Sequence, residues 1–346
     1  MGIYTFDNGV KKALENTANA RKGRLPGLAT HFTELDKMTG GLRDGDLIIL
    51  AGRQAMGKTA LATCMAFNAA KDFYDDNLKE DCRQRINTGM QMAFYKGNQK
   101  DENKFAKKSV MFFSLETSVA QLVSRILSAQ AQIDGTRMRD GKIDQSDFNR
   151  IADAAEWMRK FPLYIDDTPG LTVNQIRTRA KRLKRGKTGL GLIVIDYLQL
   201  IEGDSKNGNP ENRVQEVSET TRKLKLIAKE LKVPVVVLSQ LNRGVESRDE
   251  KIPQLADLRE FGSIVHDADI VMAVYREYYY LSKKKIVRRS WESEEEFNIR
   301  LADWECRKSE IGNIAEVLVL KNRYGETGNV KLFFDGSHSY FTNLNR

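Results

Sequence analysis

Hydrophobic residues in this chain gather into short unbroken runs: Leu47-Ile48-Ile49-Leu50-Ala51, Val110-Met111-Phe112-Phe113, Leu192-Ile193-Val194-Ile195, Val235-Val236-Val237-Leu238 and Ile270-Val271-Met272-Ala273-Val274. Runs this short without polar alternation predict strands buried on both faces. Leu163-Tyr164-Ile165-Asp166-Asp167 reads as a further strand. Between the runs, apolar residues recur at helical spacing over Ala60–Ala70, Val119–Leu127, Gln145–Lys160 and Val214–Leu231. Thr172 to Lys187 is a strongly basic helix, a pattern that usually marks a solvated face. Strands alternating with helices predict an α/β fold with a mostly parallel central sheet. The end, Ala315 to Phe341, reads as two strands around Tyr324-Gly325-Glu326-Thr327-Gly328, a C-terminal β-hairpin.

The remaining stretches set the expected organisation. Asp7 to Ala20 carries Val10, Ala13, Leu14 and Ala18 on one helical face, and Arg21 to Ala29 follows as a flexible basic linker. Residues 1–30 are therefore expected to be a helix and linker, and 31–346 one domain. Two polar, mixed-charge stretches, near 72–108 and 276–313, read as surface insertions. Asp257 to Ile264 reads as a loop, as does Leu200 to Arg213 with its Gly203, Gly208 and Pro210.

Chemistry enters with Gly52-Arg53-Gln54-Ala55-Met56-Gly57-Lys58-Thr59, which satisfies G-x-x-x-x-G-K-[ST] at every specified position. An ordinary glycine turn would produce this match on the order of once in a hundred chains of this length. The context is also the required one, a buried strand before it and a helix after it. Successive backbone N–H groups and a helix N-terminus then face one polyphosphate. Lys58 would reach the β- and γ-phosphates of ATP and the Thr59 hydroxyl would ligate Mg²⁺.

Ligands in parallel α/β sheets sit at the carboxyl ends of strands, which draws attention to strands ending in polar side chains. Asp196 closes the run Leu192–Ile195 and suits the metal-side carboxylate. Gln240, at the end of another strand, could sense the γ-phosphate. Glu116 follows Phe113-Ser114-Leu115 and could activate the attacking water. On position alone it could equally decorate the first turn of the next helix. Lys321 and Arg323 near the hairpin tip could reach a neighbour's ATP site as trans-acting fingers; in a monomer they would be idle surface charge.

Composition narrows the setting only slightly. Lys+Arg 56 against Asp+Glu 47 gives a formal charge of +9, which suits a polyanionic partner but is weak support for one. Cys64, Cys82 and Cys306 are too far apart for a zinc clip or a disulfide framework, so a reducing compartment and a cytoplasmic location are expected. No apolar run approaches a membrane span.

Taken together, Thr33-Glu34-Leu35-Asp36, Gly40-Gly41-Leu42, the phosphate loop, Phe113-Ser114-Leu115-Glu116, Ile195-Asp196-Tyr197-Leu198-Gln199-Leu200, Leu238-Ser239-Gln240-Leu241-Asn242-Arg243, Asp257-Leu258-Arg259-Glu260, Asp267-Ala268-Asp269 and Lys321-Asn322-Arg323 resemble the bacterial replicative DNA helicases of the DnaB family. The match spans about 5–345 apart from the two insertions. The resemblance implies a RecA-like P-loop ATPase in a homohexameric ring that encircles single-stranded DNA, translocates 5′ to 3′ and unwinds forked duplex. It makes Glu116 the catalytic base, Asp196 the metal carboxylate, Gln240 the γ-phosphate sensor, and Lys321 with Arg323 the finger pair. Arg259, Glu260 and Gly262 match the loop that tracks the DNA backbone. Asp7–Ala20 matches the linker helix that packs on the next subunit.

There are departures. The family's helical N-terminal domain, which engages primase, has no counterpart in the sequence, which puts primase contact in question and suits a fragment or a shortened, phage-encoded form; a helicase loader is a candidate partner. The DNA-tracking loop carries Phe261, Val265 and His266 where the family pattern has Ser, Glu and Gln. Two other readings stay open: a RecA-like recombination ATPase, and an ATP-gated DNA clamp that does not unwind.

Overall fold

The computed structural model describes residues 5–94, 108–203, 210–284 and 286–344; the side chains of 16, 19, 79–94, 210–214 and 259–263 lie outside the description. Its centre is one nine-stranded sheet in the order β3-β2-β4-β5-β1-β6-β7-β8-β9. The strands are β1 (Leu47–Gly52), β2 (Val110–Ser114), β3 (Leu163–Asp166), β4 (Leu192–Asp196), β5 (Val235–Gln240), β6 (Ile270–Tyr275), β7 (Ile314–Asn322), β8 (Gly328–Asp335) and β9 (Tyr340–Asn343). β1 to β6 run parallel, and β7, β8 and β9 add antiparallel to the β6 edge. The strands fall where the apolar runs placed them because both faces of the sheet are covered. Ile48 and Leu50 pack with Leu61 and Met65 on one side. Leu47, Ile49 and Ala51 pack with Leu224 and Ile227 on the other.

Four expectations need correction. The C-terminal region holds three strands, not two: after the hairpin, the chain turns at 336–339 and returns as β9 against β8. Its aromatic Phe341 is 1% exposed, so burial decides the pairing of a strand too short to stand out in sequence. The helix after the phosphate loop, α3 in the order α1 (Phe6–Arg21), α2 (Thr33–Thr39), α3 (Lys58–Phe94), does not stop near Ala70. It continues into the stretch read as a surface insertion. Residues 72–88 hold no Gly or Pro and many strong helix formers, so propagation from a buried first half is inexpensive; residues 95–107 of that insertion lie outside the described residues. The stretch Asp257 to Ile264 is helical, as a 3₁₀ segment Leu255–Phe261 followed by a short helix, and is not an open loop. Finally, the helix expected from Val214 starts at Pro210, where proline suits a first helical position.

The other helices are α4 (Val119–Ala131), α5 (Gly135–Arg139), α6 (Gln145–Met158), α7 (Val173–Arg185), α8 (Pro210–Leu231), α9 (Gly262–Asp267), α10 (Glu277–Lys283) and α11 (Glu294–Glu310). α7 opens with a reciprocal cap between Thr172 and Gln175, and α11 with the same device between Ser293 and Glu296. α10 and α11 occupy the stretch near 276–313. Every described side chain of α1 is exposed, Phe6 at 90% and Leu14 at 64%. The chain joins the domain body by Gly27, whose N–H bonds the Gly40 carbonyl, and Leu28 bridges to Leu42.

Candidate nucleotide site and its relatives

The strand order fixes the site before any side chain is considered. After β1 the chain leaves for β2 and β3 at one edge, then fills in β4 and β5, and a crevice opens at the carboxyl ends where the order reverses. Gly52 of β1 is level with Gln240 of β5, and Ser114 of β2 with Asp196 of β4. The phosphate loop, Glu116, Asp196 and Gln240 are thereby delivered to one rim by four adjacent strands. They line a cleft of about 330 Å³ together with Gln54, Ala55, Gly57 and Thr59.

Loop geometry follows from two left-handed residues, Ala55 at φ 63° and Gly57 at φ 95°. A Cβ on Gly57 would stand 3.0 Å from the Phe341 ring, so glycine is required both for its backbone and for close approach. α3 starts immediately afterwards at Lys58, leaving its first N–H groups unpaired and directed at the cleft. Lys58 Nζ donates to the carbonyls of Gly52 at 2.8 Å and Arg53 at 3.0 Å. Burial pushes its pKa down to about 8, against the pull of Asp196 and Glu116.

Thr59 Oγ1 donates to Asp196 Oδ2 at 2.8 Å. Asp196 is 1% exposed, and burial lifts its pKa to about 6; the Thr59 hydrogen bond opposes that shift and the nearby Glu116 charge adds to it. A hydroxyl and a carboxylate side by side are hard oxygen donors of the kind Mg²⁺ takes alongside phosphate oxygens. Among the described residues no group of three His, Cys, Asp or Glu side chains could hold a metal alone, so an ion here would draw ligands from the nucleotide.

The raised Asp196 pKa has a stability consequence. The folded state holds a proton that the unfolded chain releases between about pH 4 and 6, so folding is favoured as pH falls through that window and is penalised at neutral pH, by roughly 3 kcal/mol. Asp196→Asn is expected to raise the melting temperature of the nucleotide-free protein at pH 7 and to flatten its dependence between pH 4 and 6. Thermal unfolding at several pH values checks this; a variant less stable than wild type at pH 7 would refute it.

Glu116 lies outside the first turn of α4. Ser118 is the N-cap of α4 and accepts from the Gln121 N–H, so Glu116 precedes the helix and faces the cleft. Gln240 is steadied through Gln199, whose Nε2 donates to Ser239 Oγ at 3.1 Å. Two loop side chains do not line the cleft. Arg53 turns away, donating to the Leu241 carbonyl at 2.8 Å and to Glu246 at 2.9 and 3.0 Å, and Met56 is buried in the core.

Sequence reasoning missed Arg125, Thr117, Tyr197, Phe334 and Ser339, all of which line the cleft. For Arg125 a signal existed: it sits three residues after Leu122 and one before Ile126, a charge on the buried face of α4. Phe334 is placed by the antiparallel strands, and the Arg276 guanidinium lies 4.1 Å from its ring centroid.

Lys321 and Arg323 are not in this cleft. Asn322 pairs with Ile270, which is level with Ile48 at the start of β1, so the two cations lie at the opposite end of the sheet. Lys321 Nζ donates to the carbonyls of Val265, His266 and Ala268, at 2.6, 3.3 and 2.7 Å. Arg323 Nη1 reaches Asp269 at 3.2 Å while remaining 67% exposed. Of the residues matched to DNA tracking, Arg259 and Glu260 fall in the 3₁₀ segment and Gly262 opens α9; their side chains lie outside the described residues. Val265 packs against the second core cluster.

With this geometry in place, comparison with known proteins is specific. Residues 27–343 match the model of the DnaB-like helicase C-terminal domain. The chain is 44% identical over 329 residues to the replicative DNA helicase DnaB of Rickettsia bellii, covering 95% of this chain and 60% of the relative. It is 39% identical over 344 residues to the replicative DNA helicase DnaC of Bacillus subtilis, covering 99% and 61%. Among solved structures, the ATPase domain of G40P superposes with a TM-score of 0.77 at 28% identity, covering 99% of this chain and all of that one. A DnaB-like replicative helicase, solved in a study of its interactions with primase, gives 0.74 at 28% identity, with 99% of this chain and 68% of that one covered. The chain thus spans about three fifths of the length of the curated relatives, and its sheet is the RecA-like ATPase fold of these structures. Sequence, sheet order and cleft agree that the chain belongs to the DnaB-like helicase C-terminal domain family.

Proposed function

We propose that this chain is the ATP-driven motor of a replicative DNA helicase, translocating 5′ to 3′ on single-stranded DNA and separating forked duplex. The observation that carries the reading is the convergence of Lys58, Thr59, Asp196, Glu116 and Gln240 on one cleft at the carboxyl ends of adjacent parallel strands, in a chain of this family. Lys58 and the first N–H groups of α3 hold the β- and γ-phosphates, so the ammonium leaves its contacts with the Gly52 and Arg53 carbonyls when nucleotide enters. Mg²⁺ held by Thr59 and Asp196 would supply charge neutralisation for the transferred phosphoryl group. Glu116 orients and deprotonates the attacking water, and Gln240 hydrogen-bonds the γ-phosphate and reports its loss to β5.

The position of Arg323 supports a ring. A cation at the foot of the sheet cannot serve its own cleft, and a head-to-tail contact presents it to a neighbour's. α1, exposed at every described side chain, fits a helix that docks on an adjacent subunit, giving a homohexamer as the expected assembly. Arg259, Glu260 and Gly262 are assigned to DNA tracking, and the cytoplasm, or a host's cytoplasm for a phage protein, is the site of action; the DnaB-like structure solved with its primase interactions makes primase, with a helicase loader, the partners to test.

ATP turnover with and without single-stranded DNA, together with unwinding of a forked duplex, tests this for wild type and Lys58→Ala. DNA-stimulated turnover and strand separation, both lost at least a hundredfold in Lys58→Ala, are expected. Turnover without strand separation would overturn the motor reading in favour of an ATP-gated clamp.

A further inference from the structure

The helicase reading leaves the segment between α10 and α11 without a role, and that segment holds one of the most exposed large side chains in the molecule. Trp291 is 72% exposed and Val287 70%, where an indole on a soluble surface is normally at least half covered. The exposure is not that of a loose loop. Glu292, 5% exposed, accepts from Arg300 Nε and Nη2 at 2.6 Å each and from the Arg289 N–H at 3.0 Å. Arg288 Nε donates to the Glu292 carbonyl at 2.9 Å, and Arg300 Nη2 also reaches the Val287 carbonyl at 3.1 Å. These bonds clamp residues 287–292 into a defined turn, on which the indole stands exposed.

The charges around the turn divide in two. Glu294, Glu295 and Glu296 occupy the first turn of α11, where the helix N-terminus favours carboxylates and Glu296 completes the cap, so their presence has a structural cause. Of the two arginines, Arg288 gives its Nε to the turn, at the Glu292 carbonyl, while the Arg289 side chain takes no part in the clamping bonds. Both are exposed, and the Arg289 guanidinium stands 5.1 Å from the Trp291 ring centroid. A rigidly presented aromatic face flanked by two guanidinium groups matches one ligand chemistry well: an unpaired nucleotide, its base stacked on the indole and its phosphates on the arginines.

We propose that the turn Val287–Glu292 is a second single-stranded DNA contact, separate from the Arg259–Gly262 segment, with Trp291 as the stacking platform and Arg288 and Arg289 as the phosphate contacts. It rests on the helicase reading for its ligand, but its test is separable. Contact here is independent of sequence, because every base offers a face to stack, and it adds affinity without touching the ATP cleft.

The experiment titrates the full chain with oligo(dT), following tryptophan emission and fluorescence anisotropy of labelled DNA, for wild type, Trp291→Ala, Trp291→Phe and Arg288→Ala/Arg289→Ala. DNA is expected to quench wild-type emission, and the quenching is expected to vanish in Trp291→Phe. Trp291→Ala should weaken binding about tenfold and Trp291→Phe much less, since phenylalanine still stacks. The double arginine variant should lower the slope of log affinity against log salt by about 1.4, two phosphates at 0.7 each. Maximal DNA-stimulated ATP turnover should stay at the wild-type level in all three. Unchanged affinity and quenching in Trp291→Ala would overturn the proposal, as would a defect seen only when a protein partner is added, which would mark the turn as a protein-binding surface. Absence of any DNA binding by wild type would instead sink the helicase reading itself.

Discussion

Glu116→Gln is expected to slow ATP hydrolysis by about 10²- to 10⁴-fold while leaving nucleotide binding intact. The substitution keeps the shape of a side chain that stands between β2 and the Ser118 cap of α4 and removes only its ability to take a proton. The electrostatics of the cleft favour retained binding. Glu116 raises the pKa of Asp196 and of Lys58, so its loss makes Asp196 more readily ionised and removes one negative charge facing the phosphates. Nucleotide affinity should therefore hold or rise. Equilibrium binding of a fluorescent ATP analogue, set beside single-turnover hydrolysis, separates the two effects. A variant that hydrolyses ATP within about threefold of wild type would show that another group activates the water.

Arg323→Ala should cost more, about 10³- to 10⁵-fold in turnover, the range seen when a trans-acting arginine is removed. Its effect should appear at the neighbour's site. Asn322 is level with the first residues of β1 and Lys58 follows the last, so no side-chain rearrangement joins Arg323 to its own phosphate loop. Mixing supplies the decisive comparison. Lys58→Ala and Arg323→Ala are each expected to be inactive alone, but in mixed assemblies some interfaces would pair an intact Lys58 with an intact Arg323. Activity should reappear in proportion to those interfaces. Mixtures that stay inactive despite confirmed co-assembly would remove Arg323 from the active site. Asp269, which accepts from Arg323 and also from the Leu47 N–H, ties Arg323 to the foot of β1.

What could be read from sequence was what local physics fixes. The unbroken runs became β1, β2, β4, β5 and β6 because a sheet covered on both faces has no polar side to encode. The phosphate loop was legible because its chemistry tolerates few alternatives, and Asp196 because a strand-end carboxylate gains meaning once such a loop precedes it. The side of the cleft away from the loop was not. Arg125, Phe334 and Ser339 arrive there through packing of α4 and the antiparallel strands, which no spacing announces. The destination of Arg53 was equally hidden: inside the motif it looks like a phosphate ligand, and only the fold reveals Glu246 beside it. The helical form of 255–267 was masked by its polar residues, since the apolar anchors Leu258, Ile264 and Ala268 follow no single helical period.

The packing of Phe341 against Gly57 carries a consequence for biosynthesis. The phosphate loop leaves the ribosome well before its support: the ring that closes beneath it, and the main-chain N–H that bonds Cys64 Sγ, are encoded roughly 280 residues later. At 5–20 residues per second the nascent chain spends roughly 15–60 s with a loop sequence but no floor under it. During that interval the apolar faces of Ala60 and Cys64, which later meet the antiparallel strands, have no permanent cover. A cleft whose loop is backed by β9 is therefore complete only once that strand has been made, whatever the order in which the other elements settle.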